Sequence, residues 1–89
     1  MATVYRVDGT VLQVKPAKGR KFTLSEVQAI LGGYVEAVPL PKVKGQKAQT
    51  VLCDEEGQVK GLPWNMTFHK LVQPWALAGD VVVVERGEF

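Results

Sequence analysis

The sequence predicts an α+β domain: a mostly antiparallel sheet with one well-defined short helix and a second short helix. Three observations carry that expectation. A helix start is spelled out at Phe22-Thr23-Leu24-Ser25-Glu26-Val27, where a capping threonine, a glutamate three residues on and a flanking hydrophobic pair coincide. Four consecutive valines, Val81 to Val84, suit a strand covered on both faces near the centre of a sheet. Asp8-Gly9 separates two short β-prone runs, as the turn of a tight hairpin does.

Taken in order, Thr3 to Val7 is the first strand and Val11 to Val14 its return. Lys15 to Lys21 breaks the periodicity with Pro16 and Gly19, carries four cations and reads as an exposed connection. In the helix that follows, Thr23 caps an amide, Glu26 reaches back and Phe22 packs on Val27. Leu24, Val27, Ile30 and Leu31 fall on one face, and Gly32 is placed to end the helix in a left-handed conformation. Tyr34 to Leu40 is a strand closed by Pro39 and Pro41, and Lys42 to Lys47 is a second basic loop. Thr50 to Cys53 is a strand that turns at Asp54-Glu55-Glu56-Gly57, with Val59 to Leu62 pairing back across the turn. Asn65 to Val72 forms the second helix, bounded by Pro63 and Pro74, and Gly79-Asp80 leads into the valine strand.

At 89 residues the chain is expected to be a single domain, 1–89, without repeat or linker. A domain of this size hides only about two-thirds of its unfolded surface, so a homodimer is the expected assembly. With 46% hydrophobic and 22% charged residues the composition is globular. A net charge of +2 falls short of the concentrated basic stripe of a nucleic-acid binder, which is therefore not an expected role. The single cysteine, Cys53, has no partner for an intramolecular disulfide or a zinc site, which fits a reducing cytosol. No apolar run approaches the roughly 20 residues of a membrane helix, and the N-terminus lacks the pattern of a secretory leader.

The chemistry-bearing residues point away from catalysis. Gly32-Gly33 follow a helix, whereas phosphate loops precede one, so they read as a corner that needs positive φ. The carboxylates Glu36, Asp54, Glu55, Glu56 and Asp80 would serve a metal-dependent phosphodiesterase only by converging, and Asp54-Glu55 reads instead as a solvated turn. On its strand Glu36 shares a face with Tyr34 and Val38. His69 stands without a serine, cysteine or second histidine to work with, and Cys53 has acidic neighbours that raise a thiol pKa. No catalytic residue, metal or cofactor is assigned. Trp64 and Trp75 read equally as surface anchors or as core plugs. Asn65 can read a nucleobase edge or cap the following helix, and the basic loops can neutralise phosphates or stay solvated.

Ile30-Leu31-Gly32-Gly33-Tyr34-Val35-Glu36, Asp54-Glu55-Glu56-Gly57, Leu62-Pro63 with Asn65, and Gly79-Asp80-Val81-Val82 occur together in this order. From Phe22 onward the chain resembles a small family of phage and mobile-element proteins known as a domain of unknown function. Trp64 and the Trp75 segment stand outside the shared pattern. The resemblance implies a context, small cytoplasmic proteins that bind and block a host component, and no chemistry. The expected function is a non-enzymatic phage counter-defence protein, acting in the host cytoplasm, that sequesters a small signalling nucleotide. The alternatives are a protein inhibitor of a host defence nuclease or immune effector and, third, a metal-dependent phosphodiesterase. The expected ligand surface comprises Tyr34, Glu36, Glu56, Lys60, Trp64 and Asn65.

Overall fold

A computed structural model describes residues 1–38, 49–73, 76–85 and 87–89. Pro39 and Pro41, the Lys42–Lys47 loop and Trp75 lie outside those residues. The hairpin forms as expected, with β1 (Ala2–Tyr5) antiparallel to β2 (Val11–Val14) and Ala2 opposite Val14. Its first strand stops short of Val7, whose N–H instead donates to Asp80 Oδ1 at 3.0 Å. The remaining strands are β3 (Val35–Val38), β4 (Gln49–Asp54) and β5 (Val81–Glu85), and the sheet order is β2-β1-β5-β4-β3. Every neighbouring pair is antiparallel.

The valine run occupies the centre of the sheet because each of its faces has an apolar layer to bury against. Val82 and Val84 point to one face, where they meet Ala2, Val4, Leu52, Phe22, Val27 and Leu31. Val81 and Val83 point to the other, against Tyr5, Val51, Cys53, Phe68 and Val72. The first layer is covered by α1 (Leu24–Leu31) and the second by α2 (Met66–Val72). Full burial of one such side chain is worth about 1.5–3 kcal/mol, so β5 alone anchors both halves of the core. On the α2 side the Tyr5 and Phe68 rings lie 5.3 Å apart, centroid to centroid.

Both helix starts follow the residues that announce them. Thr23 Oγ1 accepts the Glu26 N–H at 3.1 Å, and Glu26 Oε1 accepts the Thr23 N–H at 2.9 Å, a complete capping box. Asn65 Oδ1 accepts the Phe68 N–H at 2.9 Å at the start of α2. Beside it the 62–65 and 77–79 segments run together, with Asn65 N–H donating to Leu77 O and Gly79 N–H to Pro63 O. Among the described residues no helix is long and apolar enough to cross a membrane.

Three local expectations are corrected. Leu24 is 54% exposed, because Phe22, tied through its N–H to Glu88 O, fills the core position at that end of α1. Val59 to Leu62 do not pair back as a strand. Lys60, Gly61 and Leu62 donate to Glu56 O, Gln58 O and Gly57 O in successive turns, which leaves no ladder of free amides for pairing. Asp54 is not a solvated turn residue: it ends β4 opposite Val35 and is buried.

Candidate ligand-binding corner

The C-terminal end of α1 is where Gly33-Tyr34 meets the segment Asp54 to Lys60. Gly32 closes the helix at φ 80° and donates its N–H to Gln28 O at 2.7 Å, as a left-handed glycine cap does. Gly33 is a glycine for a different reason. Its φ is not positive, yet a Cβ there would stand 2.7 Å from Asp54 Oδ2 and would also run into Lys60 Nζ. The bare backbone at Gly33 thus leaves room for an ion pair laid across it.

That pair is Lys60 Nζ to Asp54 Oδ2 at 2.8 Å, with the Asp54 side chain 1% exposed and that of Lys60 38%. The other oxygen, Asp54 Oδ1, accepts the Glu56 N–H at 2.8 Å. The Lys60 hydrogen bond, the Glu56 N–H and the Lys60 charge hold the Asp54 carboxyl below the ordinary carboxylate range, against the cost of its burial. The same bond and charge raise the Lys60 ammonium above its ordinary value. A third link, Glu55 N–H to Tyr34 O at 2.9 Å, ties the turn after β4 to the residue before β3. The carboxylate at 54 and the cation at 60 thus close the 54–60 turn on itself, and the bond that joins this turn to the Tyr34 corner runs between backbone groups.

Over this lock lies a cavity of about 280 Å³ lined by Gln28, Gly33, Tyr34, Glu56 and Lys60. The Tyr34 ring is 65% exposed beside it. Small-molecule pockets usually enclose about 300–1,000 Å³, so the cavity takes one ring-sized group. Its electrostatics are those of a partly neutralised site, since Asp54 opposes Lys60 and Glu56 adds a carboxylate. An aromatic face, a carboxamide and a carboxylate acceptor suit a flat, neutral group with N–H donors better than they suit a phosphate.

Of the six residues expected to form the surface, Tyr34, Glu56 and Lys60 come together here. Glu36 does not: it lies on the α2 side of the sheet, in a second cavity of about 340 Å³ with Val38, Cys53, Glu55 and Leu77. Burial, then Glu36 and Asp54, push the Cys53 thiol up to about 11. Trp64 is 52% exposed and bridges to Ala78, away from the Tyr34 cavity. Asn65 is 1% exposed and spends its whole amide on the fold, donating to Tyr5 O at 2.7 Å and Gly79 O at 3.0 Å besides capping α2. It is a structural residue with nothing left to present to a ligand. Gln28 and Gly33 were missed. Gln28 could have been found from its place one turn before the Gly32 cap, whereas Gly33 answers to a side chain 27 positions away, at Lys60.

Among the described residues no three histidine, cysteine, aspartate or glutamate side chains are grouped to hold a metal ion. A family model described as a domain of unknown function (DUF3846) matches residues 2–89, so it takes in the N-terminal hairpin as well as the segments from Phe22 onward. The chain belongs to that family. Comparison with curated proteins and with solved structures gives no significant match.

Proposed function

We propose that this member of the family is a non-enzymatic binding protein that captures a flat, hydrogen-bonding ring, such as the base of a small signalling nucleotide, at the Tyr34–Glu56–Lys60 corner. The observation that supports this reading is the exposed Tyr34 ring beside a cavity built where the Gly32-Gly33 and Asp54–Gly57 segments are locked together. Tyr34 supplies a stacking face, and Gln28 and Glu56 supply the hydrogen-bonding partners. Binding without turnover is the reading that the state of Lys60 supports. Asp54 keeps its ammonium protonated, so it serves neither as nucleophile nor as base.

The biological setting rests on the motif resemblance: a phage or mobile-element protein that works in the host cytoplasm as a counter-defence factor. The homodimer rests on the small core of an 89-residue domain. A second reading, a protein that covers a host nuclease or immune effector, is supported by the exposure of Val59, Trp64 and Met66 at 85%, 52% and 55% along one short segment. Calorimetry against a panel of purine and pyrimidine nucleotides, with light scattering on the same samples, separates the two. We expect Tyr34→Ala to weaken nucleotide binding about tenfold, the scale of one stacked base, with Glu36→Ala and Trp64→Ala binding like the parent. Failure of every nucleotide to bind, together with a host protein held through Trp64, would replace the first reading with the second. Consumption of the nucleotide would overturn both, and a monomer mass at high concentration would remove the dimer.

A further inference from the structure

A third cavity lies at the opposite end of α1, with cations along one wall. It encloses about 570 Å³ between the loop that follows β2 and the C-terminal segment, and is lined by Lys15, Pro16, Gly19 and Arg20 on one side and Met1, Glu85, Gly87 and Glu88 on the other. The eight residues of α1 place about 12 Å of helix between this cavity and the Tyr34 corner, so the two are separate sites.

Single exposed cations need no explanation. Here four of them, Lys15, Lys18, Arg20 and Lys21, stand within seven residues, and among the described residues none is in an ion pair. The loop that carries them is not slack. It is held at its start by the pairing of Val14 with Ala2, and in its middle by the Ala17 N–H, which donates to Glu26 Oε2 at 2.8 Å. At its end Phe22 is buried and its N–H donates to Glu88 O at 2.6 Å. Glu26 therefore does two jobs, closing the capping box with one oxygen and fastening the basic loop with the other. The carboxylates on the far wall are themselves engaged. Glu88 Oε2 lies 2.9 Å and Glu85 Oε2 3.7 Å from the N-terminal ammonium, and Glu88 Oε1 accepts the Glu85 N–H.

We propose that this cavity is an anion site for a chain of phosphates, as borne by a nucleoside polyphosphate, with Lys15 and Arg20 as its ligand-binding residues. The planar guanidinium of Arg20 can grip two phosphate oxygens at once, and Lys15 adds a point charge from across the same loop. A small ligand is favoured over a nucleic-acid backbone, because the cations border a concavity of small-molecule size and the chain as a whole carries only +2. The site does not depend on the Tyr34 corner.

Amide chemical-shift titration of the intact chain with tripolyphosphate is the test, with orthophosphate and a short single-stranded DNA as comparison arms. Saturable binding of tripolyphosphate is expected, centred on the amides of Gly19 and Gly87 and at least about tenfold tighter than orthophosphate. Lys15→Gln with Arg20→Gln should weaken it about tenfold or more, and Lys18→Gln with Lys21→Gln, which lie outside the cavity lining, less than about twofold. All four residues are exposed, so both variants are expected to keep the parent spectrum elsewhere. The proposal is overturned by absent saturation, by equal weakening in the two double variants, or by DNA binding more tightly than tripolyphosphate. Shifts centred on Tyr34 and lost in Tyr34→Ala would also overturn it, while leaving the corner described above intact.

Discussion

The two ends of α1 place a carboxylate and lysines close together and use them in opposite ways. At the C-terminal end Asp54 accepts from Lys60, and the pair is packed over Gly33 so closely that a methyl group at that position would have to displace it. At the N-terminal end Glu26 accepts from two backbone N–H groups, of Thr23 and Ala17, and among the described residues is in no ion pair. One carboxylate thereby absorbs its neighbouring cation into the fold, while the other arranges the backbone of a loop and leaves its cations uncommitted. What a lysine is available for depends on which donors the nearest carboxylate has already accepted.

Gly33→Ala is the sharpest way to break the C-terminal arrangement. The half-exposed end of Lys60 can swing away from the added methyl cheaply, so the cost falls on the buried Asp54 carboxylate, and overpacking of this kind costs about 1–3 kcal/mol. Gly32→Ala, where the fault is the left-handed backbone alone, should cost about 1 kcal/mol. Urea midpoints for the two variants decide the matter: equal losses would mean that Gly33 is not a packing residue.

Smaller, and different in form, is the pH dependence. The folded chain holds Asp54 below its ordinary range, and in the unfolded chain the group titrates near about 3.9. Its contribution is therefore complete above that value and is lost as pH falls through the lower, folded pKa. Lys60 is the mirror case, being raised in the folded chain. Its contribution is complete below its unfolded pKa of about 10.4 and is lost as pH rises through the folded one. Unfolding followed across pH should show a plateau with both limbs in the parent chain. Asp54→Asn should flatten the two limbs together, and an alkaline limb unchanged in that variant would show that the pair is not the cause.

The smallest effect is expected at the other end. Glu26 is also held low, by the N–H groups of Thr23 and Ala17. Glu26→Gln should reduce the acid limb slightly and leave the core intact, while amide exchange at Ala17 speeds up as the basic loop loses its central fastening. Unchanged exchange at Ala17 would mean that the loop is held by its ends alone.

Much of the fold could be read without coordinates. The hairpin around Asp8-Gly9, the capping box at Thr23 and Glu26, the Gly32 cap and the Asn65 cap are all local devices, in which a residue's partner lies within a few positions. The candidate site was legible only in part. Tyr34, Glu56 and Lys60 do share a cavity, but Tyr34 stands before β3 and so outside the alternation that sets Glu36 on the α2 side, and Asn65 is consumed by carbonyls of β1 and of the 76–80 segment. The reading of Asp54 as a turn residue failed because local propensity sees the acidic cluster and not the lysine that turns back onto it.

The sequence by itself determined where both helices begin, how α1 ends, and that a run of four valines lies at the centre of a sheet, because capping, glycine conformation and two-residue alternation act over neighbouring positions. Tertiary structure alone decided why Gly33 has no side chain, that Asp54 is buried against Lys60, and that Lys15 and Arg20 face a common cavity. Those facts depend on which surfaces meet when α1 is laid on the sheet. Sequence spacing does not encode such distances: the chain passes through the 55–61 turns to bring position 60 back to 33, and along the sheet to bring 88 back to 22.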